Sequence, residues 1–222
     1  GPAMGLLMPL APGGKPDAEL DTAREIARKV AAAVPFTPAP AKDMALDRFV
    51  AVWCHGGGEV AGLDREVVAA LSNHVASGRG LLLTGSAVTL VNALGLENVR
   101  PTPVTFGDDR AQAGLVPVLT GHPAFRGLDT DRGAVWLSNA VYPAFAGLPL
   151  VARPPDAAVL ARPAGGPENL LVEYRLGAGR VIACGWRLSP LYFHAPRGPR
   201  DRFERFAGNL LAYLGSPAKW AA

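Results

Sequence analysis

The sequence predicts an α/β fold in which a doubly wound, mostly parallel sheet has helices on both faces and an antiparallel C-terminal extension. In the first half of the chain, continuous apolar runs such as 49–54 and 81–83 are each followed by a helical pattern. Runs of this kind are typical of parallel strands buried on both faces. Their alternation with helices predicts a parallel sheet. In the second half, shorter stretches alternate between apolar and polar residues, which predicts antiparallel strands at the edge of the sheet.

The elements of the first half follow from apolar spacing and from residues that start or stop helices. Aspartates begin the predicted helices because their side chains accept bonds from free N–H groups of the first turn, and prolines exclude a helix from 34–40. The predicted elements are a short apolar run at 6–10, a helix from Asp17 or Asp21 to about Val30, an extended segment at 34–40, a strand at 49–54, a helix from Asp64 to Ser77, a strand at 81–83 and a helix from Ala87 to about Leu94.

The second half is rich in proline and glycine and contains one long helical pattern at its end. Phe203, Phe206, Leu210 and Leu214 give this helix an apolar face. The predicted elements are strands at 99–106 and 115–119, a turn with a short helical piece at 121–128, antiparallel strands at 151–163 and 170–176, a hairpin turn at 177–180 leading into a strand at 181–185, and a helix from Asp201 to Leu214.

Length and composition predict one domain. The chain has 222 residues, of which 49% are hydrophobic and 18% charged, so it can bury a sizeable core. We expect a single domain over 5–216 and a tail at 217–222. Residues 1–4 read as a cloning scar and are left out of the fold prediction.

Charge and hydropathy exclude two classes of partner. The net charge is only +3, and the arginines of 197–205 are interrupted by Asp201 and Glu204, which predicts a solvated helix face and no nucleic-acid site. No apolar run approaches the roughly 20 residues that span a bilayer, and no leader is visible, so we expect a cytoplasmic protein without a membrane span. Cys54 and Cys184 lie in apolar runs, which predicts reduced core residues.

A glycine-rich loop follows the strand at 49–54. His55 ends the strand and is followed by Gly56, Gly57, Gly58 and Glu59. Because glycine has no side chain, the backbone of this loop can approach an anion or a hydroxyl-rich ligand at the carboxyl edge of the sheet. The alternative is a flexible connection. His55 is either a general base or a hydrogen-bonded structural group.

The remaining histidines and the aromatic residues complete the set of candidates. The four histidines do not have metal-ligand spacing, and we expect no metal and no cofactor. His74 is expected to face solvent, and His122 to fix its own turn. The segment 186–194 is rich in aromatic residues; Trp186 could stack on a sugar ring or pin the loop to the core.

Four segments occur in the order typical of one superfamily. They are 49–92, with its buried strands; 122–128, HPAFRGL; 177–183, GAGRVIA; and 209–214, NLLAYL. In this respect the chain resembles the class I glutamine amidotransferase-like superfamily, closest to its trehalose-utilisation (ThuA-like) branch. The resemblance covers most of the chain and implies a flavodoxin-like sheet.

The resemblance implies a cysteine nucleophile at a tight elbow, with a histidine and a glutamate late in the chain. Residues 85–88 place Ala87 at the cysteine position, and His194 is followed by Ala195, so no H-x-E pair exists. A methyl group cannot replace a thiolate, which predicts that the nucleophile is missing. Ser86 is a shifted nucleophile or, alternatively, a cap or turn residue.

Two functions are compatible with these residues. The first is a non-catalytic amidotransferase-like module that binds a ligand such as a carbohydrate, or a protein partner, within a larger protein, with Gly56, Gly57, Ser86 and Trp186 as ligand-binding residues. The second is a ThuA-like enzyme that acts on a sugar or sugar derivative through His55, Glu59 and His194. A homodimer is an open alternative for either function.

Overall fold

The computed structural model describes residues 3–7, 18–30, 33–36, 45–56, 63–101, 114–137, 157–164, 169–185 and 197–216. The strands are β1 (Met4–Leu7), β2 (Ala33–Phe36), β3 (Ala51–Gly56), β4 (Gly80–Gly85), β5 (Gly114–Pro117), β6 (Val135–Trp136), β7 (Ala157–Pro163), β8 (Leu171–Leu176) and β9 (Gly179–Cys184). The helices are α1 (Ala18–Val30), α2 (Arg65–Ala76), α3 (Leu90–Ala93) and α4 (Arg197–Gly215).

These nine strands form one sheet in the order β2-β1-β3-β4-β9-β8-β7-β5-β6. The strands from β2 to β9 in this order run parallel. From β9 onward, neighbouring strands pair antiparallel. The predicted fold class, a doubly wound parallel sheet with an antiparallel extension, is confirmed.

Each face of the sheet packs against its own helices. Successive side chains of a strand point to opposite faces, so Trp53 lies in the cluster that contains α1 and α4, whereas Val52 and Cys54 lie in the cluster that contains α2 and α3. Both clusters consist of fully or almost fully buried aliphatic and aromatic residues. The continuous apolar runs of β3 and β4 are explained by this burial on two sides.

The structure corrects several predicted boundaries. β1 begins at Met4, inside the segment left out of the prediction, and Val50 N–H donates to the carbonyl of Ala3 at 3.0 Å. Residues 99–101 are not a strand; the Asn92 side-chain amide instead donates to the carbonyls of Glu97 and Val99, which holds a turn. Residues 102–106 and 151–156 lie outside the described part of the chain.

Two further differences concern short or terminal elements. β6 has only two residues, too few to give a pattern in the sequence. α4 begins at Arg197, four residues before the predicted Asp201. The early start includes Pro199 in the first turn. Proline is tolerated there because N–H groups of the first turn have no partner within the helix, so the N–H that proline lacks costs no helical hydrogen bond.

His122 fixes its own turn, as predicted, and also joins three elements. Its Nδ1 accepts a hydrogen bond from Ala124 N–H at 3.1 Å, which leaves the ring proton on Nε2, 3.0 Å from Glu173 Oε2. The Tyr213 hydroxyl donates to the other oxygen of Glu173. Glu173 on β8 therefore ties the His122 turn and α4 to the sheet.

Replacing Glu173 tests this connection. Burial alone would raise the pKa of Glu173, but the hydrogen bonds from His122 and Tyr213, together with the nearby charges of His122 and Arg180, lower it overall. A lowered carboxylate pKa stabilises the fold above the unfolded-state pKa of 4.5, and this contribution is lost as the pH falls through the folded-state pKa.

We expect Glu173→Gln to lower the free energy of unfolding at pH 7 by about 1–3 kcal/mol, because one of the two buried donors then meets an amide N–H₂ group. As the pH falls below 4.5 and through the lowered pKa of Glu173, the difference between variant and native protein should shrink. Urea unfolding across pH measures both effects, with the exposed Glu66→Gln on α2 as control. A constant difference at all pH values would contradict the proposed role.

His74 is buried, contrary to the expectation that it faces solvent. The residue is only 6% exposed and lies on the side of α2 that packs against the sheet. Burial and, secondarily, the charge of Arg79 lower the pKa of His74 from 6.5 to about 4, with Asp47 partly offsetting the shift. The folded state therefore holds a neutral imidazole at neutral pH.

This burial predicts a component of acid sensitivity. Between pH 6.5 and about 4 the unfolded chain binds a proton at His74 that the folded chain does not, so native stability falls as the pH is lowered through this window. In His74→Gln the slope of the unfolding free energy against pH should be smaller over the same window. Equal slopes in denaturant titrations of the two proteins would show that His74 does not carry this sensitivity.

Candidate functional site

The carboxyl ends of β3 and β4 meet at the edge of the sheet where ligands bind in open α/β folds. The parallel register pairs His55 with Thr84 and Gly56 with Gly85. Two candidates from the sequence, His55 and Gly56, are therefore brought directly beside the turn that holds Ser86 and Ala87. The edge brings together side chains that are about thirty residues apart in the sequence.

A buried hydrogen-bond network lies below this edge. Trp53 Nε1–H donates to Thr84 Oγ1 at 2.7 Å, and His55 Nδ1 lies 2.6 Å from the same oxygen. An indole nitrogen can only donate, so the Thr84 hydroxyl accepts this bond and still has one proton and one lone pair with which to meet either tautomer of His55. If the Thr84 proton is directed at Nδ1, the proton of a neutral His55 ring lies on Nε2.

His55 Nε2 points towards Glu19 in the first turn of α1. The distance to Glu19 Oε2 is 3.7 Å, beyond the reach of a normal hydrogen bond, and Nε2 has no hydrogen-bond partner in the part of the chain that the structure describes. The His55 side chain is 0% exposed and that of Glu19 18% exposed. In this conformation His55 is a buried structural group, and Glu19 is the acid that faces it.

Glu19 was not predicted from the sequence as a site residue. Its only local signal is its position as an acid in the first turn of a helix, a common arrangement on helices in general. The connection between Glu19 and His55 is made by the packing of α1 on β3, which no spacing in the sequence encodes.

The turn after β4 has the geometry of an elbow, and Gly85 is its apex. Gly85 has φ +60° and ψ −139°, a conformation that L-residues rarely adopt. A Cβ built on Gly85 would lie 2.2 Å from the carbonyl oxygen of Gly56 and 2.9 Å from His55 Cε1. The apex has no side chain and no space for one.

Ser86 and Ala87 follow the apex in a 3-10 turn over residues 86–89. Ala87 is fully buried against the face that packs on α2. The apex therefore lies two residues before Ala87, the residue that the resemblance places at the apex. The match of Ala87 to the cysteine of relatives stays a prediction. Ser86 Oγ is buried and has no hydrogen-bond partner among the described residues.

Other candidates from the sequence are not brought into this site or cannot be placed. Gly57, Glu59, Trp186 and His194 lie outside the described residues, so their roles stay predictions. Both cysteines are buried and neither forms a disulfide, as expected. Cys54 points to the face opposite His55, and burial raises the pKa of its thiol to about 12, so it is not a reactive thiolate.

Two features of the described residues bear on metals and membranes. They contain no group of three or more histidine, cysteine, aspartate or glutamate side chains suited to a metal ion. None of the helices in this part of the chain is long and apolar enough to cross a bilayer.

Solved structures share this fold, although no family model and no curated protein sequence matches the chain. A protein from Bacteroides uniformis assigned as ThuA-like is 12% identical, with a TM-score of 0.55 over 93% of this chain and 90% of its own. PurLQS from Thermotoga maritima is also 12% identical, with a TM-score of 0.58 over 96% and 99% of the two chains. The chain therefore has the glutamine amidotransferase-like fold that the sequence motifs predicted, with ThuA-like proteins among its structural neighbours.

The same fold also matches one part of a longer chain. β-Galactosidase from Bacillus circulans sp. alkalophilus is 11% identical, with a TM-score of 0.58. The match covers 97% of this chain but only 32% of the β-galactosidase. The matching region therefore makes up nearly the whole of one chain and about a third of another.

The geometry of the apex predicts that a side chain at position 85 is strongly destabilising. Gly85→Ala combines positive φ with a backbone clash, each costing about 1–3 kcal/mol. Gly95→Ala is the matched control because Gly95 has φ +73° but open space around its Cβ position. We expect the loss of unfolding free energy to exceed that of the control by at least about 1 kcal/mol. Equal losses in the two variants would contradict the crowding at the elbow.

Proposed function

We propose that this chain is a non-catalytic amidotransferase-like module that binds a ligand, such as a carbohydrate, or a protein partner within a larger protein or complex. One observation carries the proposal. The apex of the elbow is Gly85, which has no side chain and stands against the Gly56 carbonyl. Covalent catalysis at an elbow needs a nucleophilic atom at that apex.

The neighbouring groups do not supply a substitute nucleophile. A serine attacks only when a base accepts its proton, and Ser86 Oγ has no hydrogen-bond partner in the described part of the chain. The nearest imidazole candidate, His55, has its Nδ1 engaged by Thr84 and its ring fully covered. These features support binding in preference to covalent catalysis.

A carbohydrate is the ligand class we favour at the carboxyl edge. The glycine-rich segment after His55 allows the main chain to approach hydroxyl groups closely. The match of this fold to part of a β-galactosidase supports both halves of the proposal, the carbohydrate and the larger chain. A cytoplasmic location and a homodimer stay predictions.

The pairing of His55 with Glu19 favours a second candidate, a ThuA-like enzyme acting on a sugar derivative. Thr84 orients the imidazole through Nδ1, and the Glu19 carboxylate lies 3.7 Å from Nε2, so an acid and a base face each other near the carboxyl edge. For this function His55 would have to become accessible, with Glu59 and His194 as the further acid and base groups that the sequence predicts.

Turnover assays distinguish the two candidates. We expect no ammonia release from L-glutamine and no hydrolysis of a panel of p-nitrophenyl glycosides above the rate without protein. His55→Gln, which keeps a hydrogen-bonding side chain against Thr84, should give the same baseline. Hydrolysis that this substitution lowers tenfold or more would establish the enzyme and overturn the non-catalytic module.

Binding is tested separately on the same protein. Amide chemical shifts of Gly56, Gly85 and Ser86 should move when monosaccharides are titrated into ¹⁵N-labelled protein, whereas those of Gly133, at an open turn elsewhere, should not. Shifts confined to other regions would show that the carbohydrate does not bind at the carboxyl edge.

A further inference from the structure

A separate groove lies at the opposite end of β4, where the strand begins. It has a volume of about 310 Å³ and is lined by residues from the turn at 46–48, from α2 and from the segment before β4. Ligand pockets have volumes of about 300–1,000 Å³, so this groove suits only a small molecule. Gly80 starts β4 while His55 and Gly85 lie at the far ends of their strands, which separates the groove from the carboxyl edge.

Two side chains of opposite charge line this groove without pairing to each other. Arg79 Nη1 donates to the main-chain carbonyls of Asp47 and Phe49, which fixes the guanidinium at one wall. Asp47 also lines the groove and its negative charge acts on the neighbouring His74, while no ion pair joins the two described residues Asp47 and Arg79. A guanidinium retains further donors after one nitrogen is engaged.

His74 forms the inner wall of the groove between these charges. The residue is 6% exposed, and its Nε2 is a buried atom without a hydrogen-bond partner among the described residues. Because Nε2 is buried, the imidazole closes this wall and presents no accessible nitrogen to a ligand. The imidazole adds no charge at neutral pH, and the groove keeps one positive and one negative group.

We propose that this groove binds a small zwitterion of the α-amino acid type, with its carboxylate on Arg79 and its ammonium group on Asp47. An anion alone would be repelled by Asp47, and a cation alone by Arg79. A ligand that carries a carboxylate and an ammonium group on the same carbon can contact both charged side chains. The short apolar surface of Leu46 and Ala70 leaves space for a small side chain.

Three probes separate the two charges of the ligand. L-alanine carries both, propionate carries only the carboxylate, and L-alaninamide carries only the ammonium group. In ¹⁵N–¹H titrations we expect the amides of residues 73–79 to shift with L-alanine at a dissociation constant at least tenfold lower than with either of the other probes. Equal affinity for L-alanine and propionate, or no shift of these amides, would overturn the proposal.

Asp47→Asn tests the ammonium contact directly. Asp47 is exposed, so the variant should fold. We expect it to bind L-alanine no more tightly than it binds propionate, while Asp64→Asn, an exposed aspartate at the start of α2 outside the groove, keeps the native preference. Retention of the tenfold preference in Asp47→Asn would also overturn the proposal.

Discussion

The parallel pairing of β3 with β4 is the constraint on which the site depends. Its register sets His55 beside Thr84 and Gly56 beside Gly85. Once this register is set, a single threonine hydroxyl joins the indole of Trp53 to the imidazole of His55. A shift by one residue would turn these side chains to the other face, so the polar network and the apolar core specify the same register.

The elbow shows how the same pairing restricts chemistry. The Gly56 carbonyl approaches the apex so closely that only glycine fits at position 85. A tight turn of this kind presents a nucleophile in enzymes, but here the adjacent strand occupies the space into which that side chain would project. The lack of a side chain at the apex is thus a property of the packing between two strands as well as of one residue type.

Polar groups are distributed differently on the two sides of the sheet. On the side of α1 and α4, His55 and His122 each have one ring nitrogen fixed by a hydrogen bond and the other directed at a carboxylate, Glu19 or Glu173. On the side of α2, none of the described residues hydrogen-bonds to His74 Nε2, and burial keeps this imidazole neutral at neutral pH. The same residue type therefore lies beside a carboxylate in two places and is kept neutral by desolvation in the third.

The sequence by itself determined the fold class, because continuous apolar runs such as that of β3 are required when a strand is covered on both faces. It also identified His55 and Gly56 at a strand end and the capping role of His122, since both follow from local spacing. Only the tertiary structure decided that Glu19 faces His55, that Gly85 is the apex, and that His74 is buried. Each of these depends on how elements distant in the chain pack together, and packing distances are not encoded in local periodicity.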